Sequence, residues 1–189
     1  MRFFLSLTFG LLTSSPSVAD AFCAEAWFVR NLAFDRAGYC FGSPLGQALF
    51  DNDDCSTKSP KLSAEDQRIV TAIRETEDMV GCNIDTTSRF MAVPHETLWR
   101  GMVDLAAPAD WASGCLGWQG ADFPLYAAHA PGARVTAVAR AGMVIEWEYD
   151  TFAPTGWEFI TLYTRDFEFL GMGWSNTQID TALCEQMAG

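Results

Sequence analysis

Apolar residues in the first half of the chain recur at intervals of three and four, the spacing of one face of an α-helix. The first stripe begins at Trp27 and ends before Gly38, a residue that readily adopts the left-handed backbone of a helix end. Helix-start signals precede two further stripes, because Ser43 stands before a proline and Ser63 stands just before two acidic residues. The pattern predicts three helices with these apolar positions: Trp27, Phe28, Leu32 and Phe34; Leu45, Leu49 and Phe50; and Ile69, Val70, Ile73 and Val80, followed by Gly81.

The second half of the chain changes to the two-residue period of β-strands. From Met143 to Asp150, apolar side chains alternate with mostly acidic ones, which is typical of a half-buried strand. Short strands separated by glycines predict a small barrel or sandwich. We predict strands at residues 134–139, 143–150, 157–164 and 167–170.

These patterns predict the α+β class and two domains. A small, disulfide-stapled helical domain covers residues 22–90 and a β-barrel domain covers residues 91–189, with the junction at Ser88–Pro94. In the tail, Asn176–Gln186, Ile179 and Leu183 are spaced by four, as is Met187 directly after it, and this spacing predicts a C-terminal helix.

The N-terminus has the three parts of a secretory signal. A basic start is followed by an apolar run of about ten residues and a small-residue exit. The run is too short for a membrane span, which needs roughly 20 residues. We predict a signal peptide at residues 1–21, cleaved after Ala19 or Ala21, and a periplasmic or secreted protein that does not insert into a membrane after processing.

Six cysteines follow the signal, and an even number in an oxidising compartment indicates disulfides. A zinc site is disfavoured because no two cysteines have the close spacing of metal ligands. If bridges stay within each domain, the first four cysteines allow three arrangements and the last two have one. We favour these pairs: Cys23–Cys82, Cys40–Cys55 and Cys115–Cys184.

The segment around the first helix stop resembles the YARHG domain, a small extracellular bacterial module. Arg36, Gly38 and Tyr39 fit its name motif, whereas Phe34, Asp35 and Ala37 replace the Tyr, Ala and His of that motif. The resemblance covers roughly residues 23–82. Because the family has no established catalysis, the resemblance implies no catalytic residues.

The second domain is similar to bacterial SH3-like barrels. The pieces that carry this similarity are Leu125–Ala128 with Pro131–Ala133, Gly142–Ile145, Gly156–Ile160 and Gly171–Trp174. The long span between Ile160 and Gly171 departs from that pattern. The whole arrangement resembles an uncharacterised family of secreted bacterial proteins.

Composition and charge exclude several classes of protein. With 49% apolar and 19% charged residues, the chain is not of the disordered type. A net charge of −12 argues against a nucleic-acid binder, which needs clustered Lys and Arg. Residues 22–90 contribute −4 and residues 91–189 contribute −8, so we predict an acidic outer face on the second domain, formed by Glu146, Glu148 and Asp150.

Candidate catalytic and metal-binding motifs are weak. Asp51–Asp54 begins like a calcium loop, but Ser56 and Leu62 stand where that loop needs Gly and Glu. We interpret His95 and His129, the only histidines, as surface residues, since no nucleophile motif accompanies them. We therefore predict no metal, no cofactor and no catalytic residue.

Aromatic residues offer the one candidate ligand site. In SH3-type barrels such residues hold extended peptides, and aromatic faces with acidic rims also hold cations. The other interpretation, which we favour, is that Trp147, Trp157 and Trp174 fill a small core. Tyr126 and Trp118 are the members expected to be most exposed, and the full candidate set is Tyr126, Trp118, Trp147, Trp157 and Trp174.

These observations lead to three hypotheses. The first is a non-catalytic exported module of the cell envelope that binds a peptide or a peptidoglycan component. The second is an acidic inhibitor that attracts a basic secreted enzyme, such as a lysozyme or protease. The third and least favoured is a cell-wall hydrolase.

Overall fold

Four helices pack against one seven-stranded antiparallel sheet in the computed structural model, which describes residues 18–189. The order across the sheet is β3-β2-β6-β5-β4-β1-β7. The helices are α1 (Val18–Arg36), α2 (Pro44–Leu49), α3 (Ala64–Val80) and α4 (Glu96–Gly101). The strands are β1 (Ala107–Trp118), β2 (Phe123–Tyr126), β3 (Val135–Ala139), β4 (Val144–Asp150), β5 (Glu158–Tyr163), β6 (Phe169–Ser175) and β7 (Cys184–Ala188).

The residues predicted to begin and end helices do so in the structure. The Ser43 hydroxyl accepts a hydrogen bond from a first-turn amide of α2 at 3.1 Å, and the Ser63 hydroxyl caps α3 from the amide of Asp66 at 3.0 Å. Gly81 ends α3 with a left-handed backbone, φ 78°. The three predicted helices are confirmed, and α4 is an additional one in the segment predicted to be strand-rich.

The helices and the sheet share one hydrophobic core. Phe28 and Ile73, on α1 and α3, belong to the same buried cluster as Trp99, Phe159 and Trp174. All five side chains are less than 2% exposed. The helical part therefore does not rely on its own small core, because it buries its apolar face against the sheet.

A second cluster lies on the opposite face of the sheet. Phe159 and Ile160 are neighbours on β5 and belong to different clusters, so both faces of this strand are buried. Val80, predicted to join the core stripe of α3, is 40% exposed. That prediction is wrong, because the stripe leaves the core in the last turn of the helix.

The three favoured disulfides are confirmed. Cys23–Cys82 joins α1 to the end of α3, and Cys40–Cys55 closes the loop around α2. Cys115–Cys184 joins β1 to β7. No cysteine in the described residues is free.

The sheet is open, and the prediction of a closed SH3-like β-barrel is not confirmed. Strands β3 and β7 form its two edges and do not pair with each other. All four predicted strands are present in the sheet as β3, β4, β5 and β6. The long strand β1 was missed, since its pairing with β4 is interrupted between Pro108 and Ser113 and its sequence does not alternate regularly.

The predicted C-terminal helix is wrong. A short 3₁₀ turn, Thr181–Leu183, leads directly into β7, which pairs antiparallel with β1. The spacing that suggested a helix does not face a core, because Leu183 and Met187 are 40% and 44% exposed. The open edge of β1 and the bridge to Cys184 favour strand pairing over local helix formation.

Arg36, one of the residues of the YARHG-like motif, connects the two halves of the chain. Its guanidinium donates to the carbonyl oxygens of Trp99, Met102 and Val103 at 3.3, 2.6 and 3.0 Å. The Trp99 carbonyl belongs to the last turn of α4, and the carbonyls of Met102 and Val103 follow that helix directly. Arg36 thus fixes α4 against the end of α1.

We expect Arg36→Lys to reduce the free energy of unfolding by about 1–2 kcal/mol, although it keeps the charge. An ammonium cannot reproduce the planar fork that reaches three carbonyl oxygens. Urea titration followed by circular dichroism would measure the change. Arg89→Lys, at an exposed position, is the matched control, and an equal loss in both variants would contradict the assignment.

The predicted signal peptide lies mostly outside the described residues, since residues 1–17 are not among them. Its cleavage remains a prediction. Within the part of the chain that the structure covers, no helix has both the length and the apolar character needed to cross a bilayer.

Candidate functional site

The five aromatic residues of the predicted ligand site are not brought together into one groove. Trp118 is 3% exposed and packs edge-to-face on Phe123, with ring centroids 5.8 Å apart. Trp174 is fully buried in the other cluster. The expectation that Trp118 is exposed is wrong, because its indole packs in the second cluster of the core and donates to the carbonyl of Ala121.

The remaining three are half-buried at two places on the sheet. Tyr126 and Trp157 pack edge-to-face with centroids 6.0 Å apart, against the core shared with the helices. The Trp147 indole donates to a carboxylate oxygen of Glu158 at 2.9 Å and packs on the opposite cluster. A ligand-binding role for these three remains a prediction.

The acidic positions of β4 do not form an outer face. Glu146, Glu148 and Asp150 are half-buried. The Tyr163 hydroxyl donates to Glu148 at 3.0 Å. Burial, together with the charge of Glu148, raises the pKa of Glu146. The predicted acidic surface is therefore wrong at these positions.

Both histidines are half-buried rather than on the surface as predicted. His129 lies between two carboxylates, with Nε2 at 2.8 Å from Glu65 and 3.4 Å from Asp104, and so links α3 to the sheet. His95 stacks on Phe169 with ring centroids 3.7 Å apart, and burial lowers its pKa. No group of three or more His, Cys, Asp or Glu in the described residues is arranged to hold a metal ion.

A buried carboxylate lies where α1, α4 and β4 meet. One oxygen of Glu25 accepts the Trp99 indole N–H at 2.7 Å and the Tyr149 hydroxyl at 3.1 Å. Glu25 is only 9% exposed, and burial raises the pKa of its carboxyl to about 7. It points into the core and away from solvent, which favours a role in stability over catalysis.

A surface groove lies elsewhere, between the start of α1, the end of α3 and the segment 81–94. Its volume is about 720 Å³. Polar groups in its wall come mainly from Asn83, Asp85 and Ser88. Apart from Ala21, which belongs to the predicted signal peptide, the apolar side chains in its wall are those of Ala24, Leu45, Val80, Ile84, Phe90, Met91, Ala92, Val93 and Pro94.

Covalent and backbone links hold the wall of this groove. The Cys23–Cys82 bridge joins its α1 side to the residue that follows Gly81. The Leu45 amide donates to the carbonyl of Thr86 at 3.1 Å, which fixes the segment 82–94 against α2. The groove is therefore largely pre-formed, as ligand sites usually are.

One charged group, the carboxylate of Asp85, belongs to the groove wall. It accepts hydrogen bonds from the Thr87 amide at 2.9 Å and the Thr87 hydroxyl at 2.6 Å. These bonds lower the pKa of Asp85, so its carboxylate is ionised at neutral pH.

The other wall offers backbone groups. Within residues 18–189, the amides and carbonyls of Met91, Ala92 and Val93 make no hydrogen bond to another residue. Phe90, just before them, is 77% exposed, which is unusual for a large apolar side chain. These backbone groups are therefore available to a ligand or to water.

Comparison with known proteins assigns both parts of the chain to families. Residues 81–189 match the domain of unknown function DUF4453. The chain belongs to the DUF4453 family. A YARHG domain matches residues 3–78, in agreement with the resemblance seen in the sequence. No curated protein and no solved structure matches the chain.

The groove lies where the two matched ranges meet. Its α1 and α2 residues come from the YARHG domain, and the segment 81–94 opens the DUF4453 domain. Sequence reasoning missed this site. The available signal was the apolar run Phe90–Pro94, which was interpreted only as a junction between domains.

Proposed function

We propose that this protein is a non-catalytic, exported binding module of the bacterial envelope that holds a peptide or peptidoglycan component. The ligand site is the groove between the YARHG and DUF4453 domains. The proposal depends above all on this groove, which combines about 720 Å³ of space, a mostly apolar wall and a few polar groups. This combination is typical of small-ligand and peptide sites.

Export is part of the proposal. Three disulfides among six cysteines support it, because such bridges persist in oxidising compartments and are rare in the cytosol. The YARHG domain is consistent with the same location. The periplasm or the extracellular medium is where the ligand would be encountered.

We also propose that the sheet is related to SH3-like barrels. Its short antiparallel strands support that relationship. The ligand site proposed above does not depend on it, because the groove lies outside the sheet.

Filling the groove tests the proposed function. We expect Ala92→Trp to weaken binding at least roughly tenfold, since an indole at this exposed wall position occupies the space of a ligand side chain. The measurement is retention of the oxidised protein on isolated peptidoglycan and on an immobilised library of random hexapeptides, at moderate salt.

Ala141→Trp is the matched control, because Ala141 is exposed in the turn between β3 and β4. The proposal requires retention of the wild type and the control on one of the two supports, with loss in Ala92→Trp. Equal retention of both variants, or no retention of the wild type, would reject it. Suppression of lysozyme by the protein would instead favour the inhibitor hypothesis, and wall lysis would favour the hydrolase.

A further inference from the structure

We infer that the groove binds its ligand as an extended basic peptide, which adds as a strand along Met91–Val93 and places a cationic group at Asp85. This inference rests on the proposed function and specifies the class of ligand. Three features of the groove support it: the unpaired backbone edge, the apolar wall and the sign of the charge.

The backbone edge determines the form of the ligand. The segment Met91–Val93 carries amides and carbonyls that bond to no other described residue, and it lies along an open groove. A peptide in an extended conformation satisfies such groups by main-chain hydrogen bonds, as in strand addition at a sheet edge. A folded helix cannot, since it has already paired its own backbone groups.

The apolar wall indicates that every second side chain of the bound peptide is apolar. In an extended peptide, every second side chain points to the same side. Those side chains would face Leu45, Ile84 and Val93, which are buried or half-buried in the groove wall. The side chains between them would point to solvent or to the polar rim.

The charge of the rim determines the sign of the ligand. Asp85 supplies a carboxylate that is ionised at neutral pH, and the end of α3 adds the partial negative charge of a helix C-terminus. No basic residue occupies the last turn of α3. Arg89, the basic residue nearest in this segment, is exposed and does not belong to the wall. A lysine, arginine or free amine therefore complements this rim.

The probe is a fluorescein-labelled hexapeptide of alternating valine and lysine, with its binding followed by fluorescence anisotropy. We expect N-methylation of its central amides to weaken binding roughly tenfold, because the strand hydrogen bonds are lost. Replacing lysine by glutamate should weaken binding by a similar factor. Asp85→Asn should weaken the lysine peptide about fivefold and reduce the salt dependence of its binding.

Asp85→Asn keeps the oxygen that accepts from Thr87, so the turn is expected to remain folded. Asp166→Asn, in an exposed turn of the sheet domain, is the matched control and should leave binding unchanged. Equal binding of the N-methylated peptide would overturn strand addition. Equal binding of the glutamate peptide, or of both asparagine variants, would overturn the cationic subsite.

The two proposals fail in different ways. If the hexapeptide does not bind but peptidoglycan retention still depends on Ala92, the groove is a ligand site and the inferred ligand class is wrong. If neither probe depends on Ala92, both proposals are wrong.

Discussion

The double variant Cys23→Ala/Cys82→Ala is expected to lose about 4 kcal/mol of unfolding free energy, a large share of the stability of a typical domain. The bridge spans a sequence separation of 59 residues, and opening it restores a large conformational freedom to the unfolded chain. The same bridge joins both sides of the groove. We therefore expect the variant to lose ligand retention even under conditions where it remains folded, as measured by circular dichroism in a urea titration.

The variant Cys40→Ala/Cys55→Ala is the matched control. Its bridge spans a separation of 15 residues, and the chain-entropy relation gives a loss of about 3 kcal/mol. This bridge closes the loop around α2 and does not belong to the groove wall. A variant of Cys23 and Cys82 that stays within about 1 kcal/mol of the wild type, or that keeps full retention, would contradict the expectation.

Features determined by a few neighbouring residues could be predicted from the sequence. Ser63 and Gly81 bound α3 because a hydroxyl caps the first turn and a glycine takes the left-handed end. The alternation along β4 identified a strand for a similarly local reason. The disulfide pairs followed once the bridges were confined to each half of the chain.

Features that depend on distant residues could not be predicted in this way. The tail forms β7 because β1 presents an unpaired edge. The sequence of the tail alone contains no information about that edge. The groove combines wall residues from α1, α2 and the segment 81–94, which only the fold brings together. Trp118 and Trp174 have the same residue type and similar glycine-rich surroundings, yet they belong to different clusters of the core.

The buried position of Glu25 could not be predicted from the spacing of apolar residues along α1. It stands in the apolar part of α1, between Ala24 and Ala26, both of which are buried. Its carboxylate is kept there by donors from α4 and β4, the Trp99 indole and the Tyr149 hydroxyl. Burial favours the protonated form of this acid, although the two donors stabilise the carboxylate and partly oppose that effect.

This burial makes stability depend on pH. The pKa of Glu25 rises from its ordinary value of 4.5 to about 7 in the folded protein. Burial is the largest cause, and the negative charge of nearby Glu148 makes a smaller contribution. At a pH between these two pKa values, the Glu25 carboxyl is therefore protonated in the folded state and ionised in the unfolded state. The contribution of Glu25 is fully present below pH 4.5 and falls by about 3 kcal/mol as pH rises to 7.

We expect Glu25→Gln to abolish this dependence, because the amide has no proton to lose and its oxygen can still accept from Trp99 and Tyr149. The stability of the variant minus that of the wild type should grow by about 3 kcal/mol between pH 4.5 and pH 8. Urea titrations at each pH measure this difference, in which the other titrating groups cancel. Glu25→Ala should instead be less stable than Glu25→Gln at every pH, since it leaves two buried donors unpaired. A difference that stays constant across the range would show that the Glu25 carboxyl keeps its ordinary pKa.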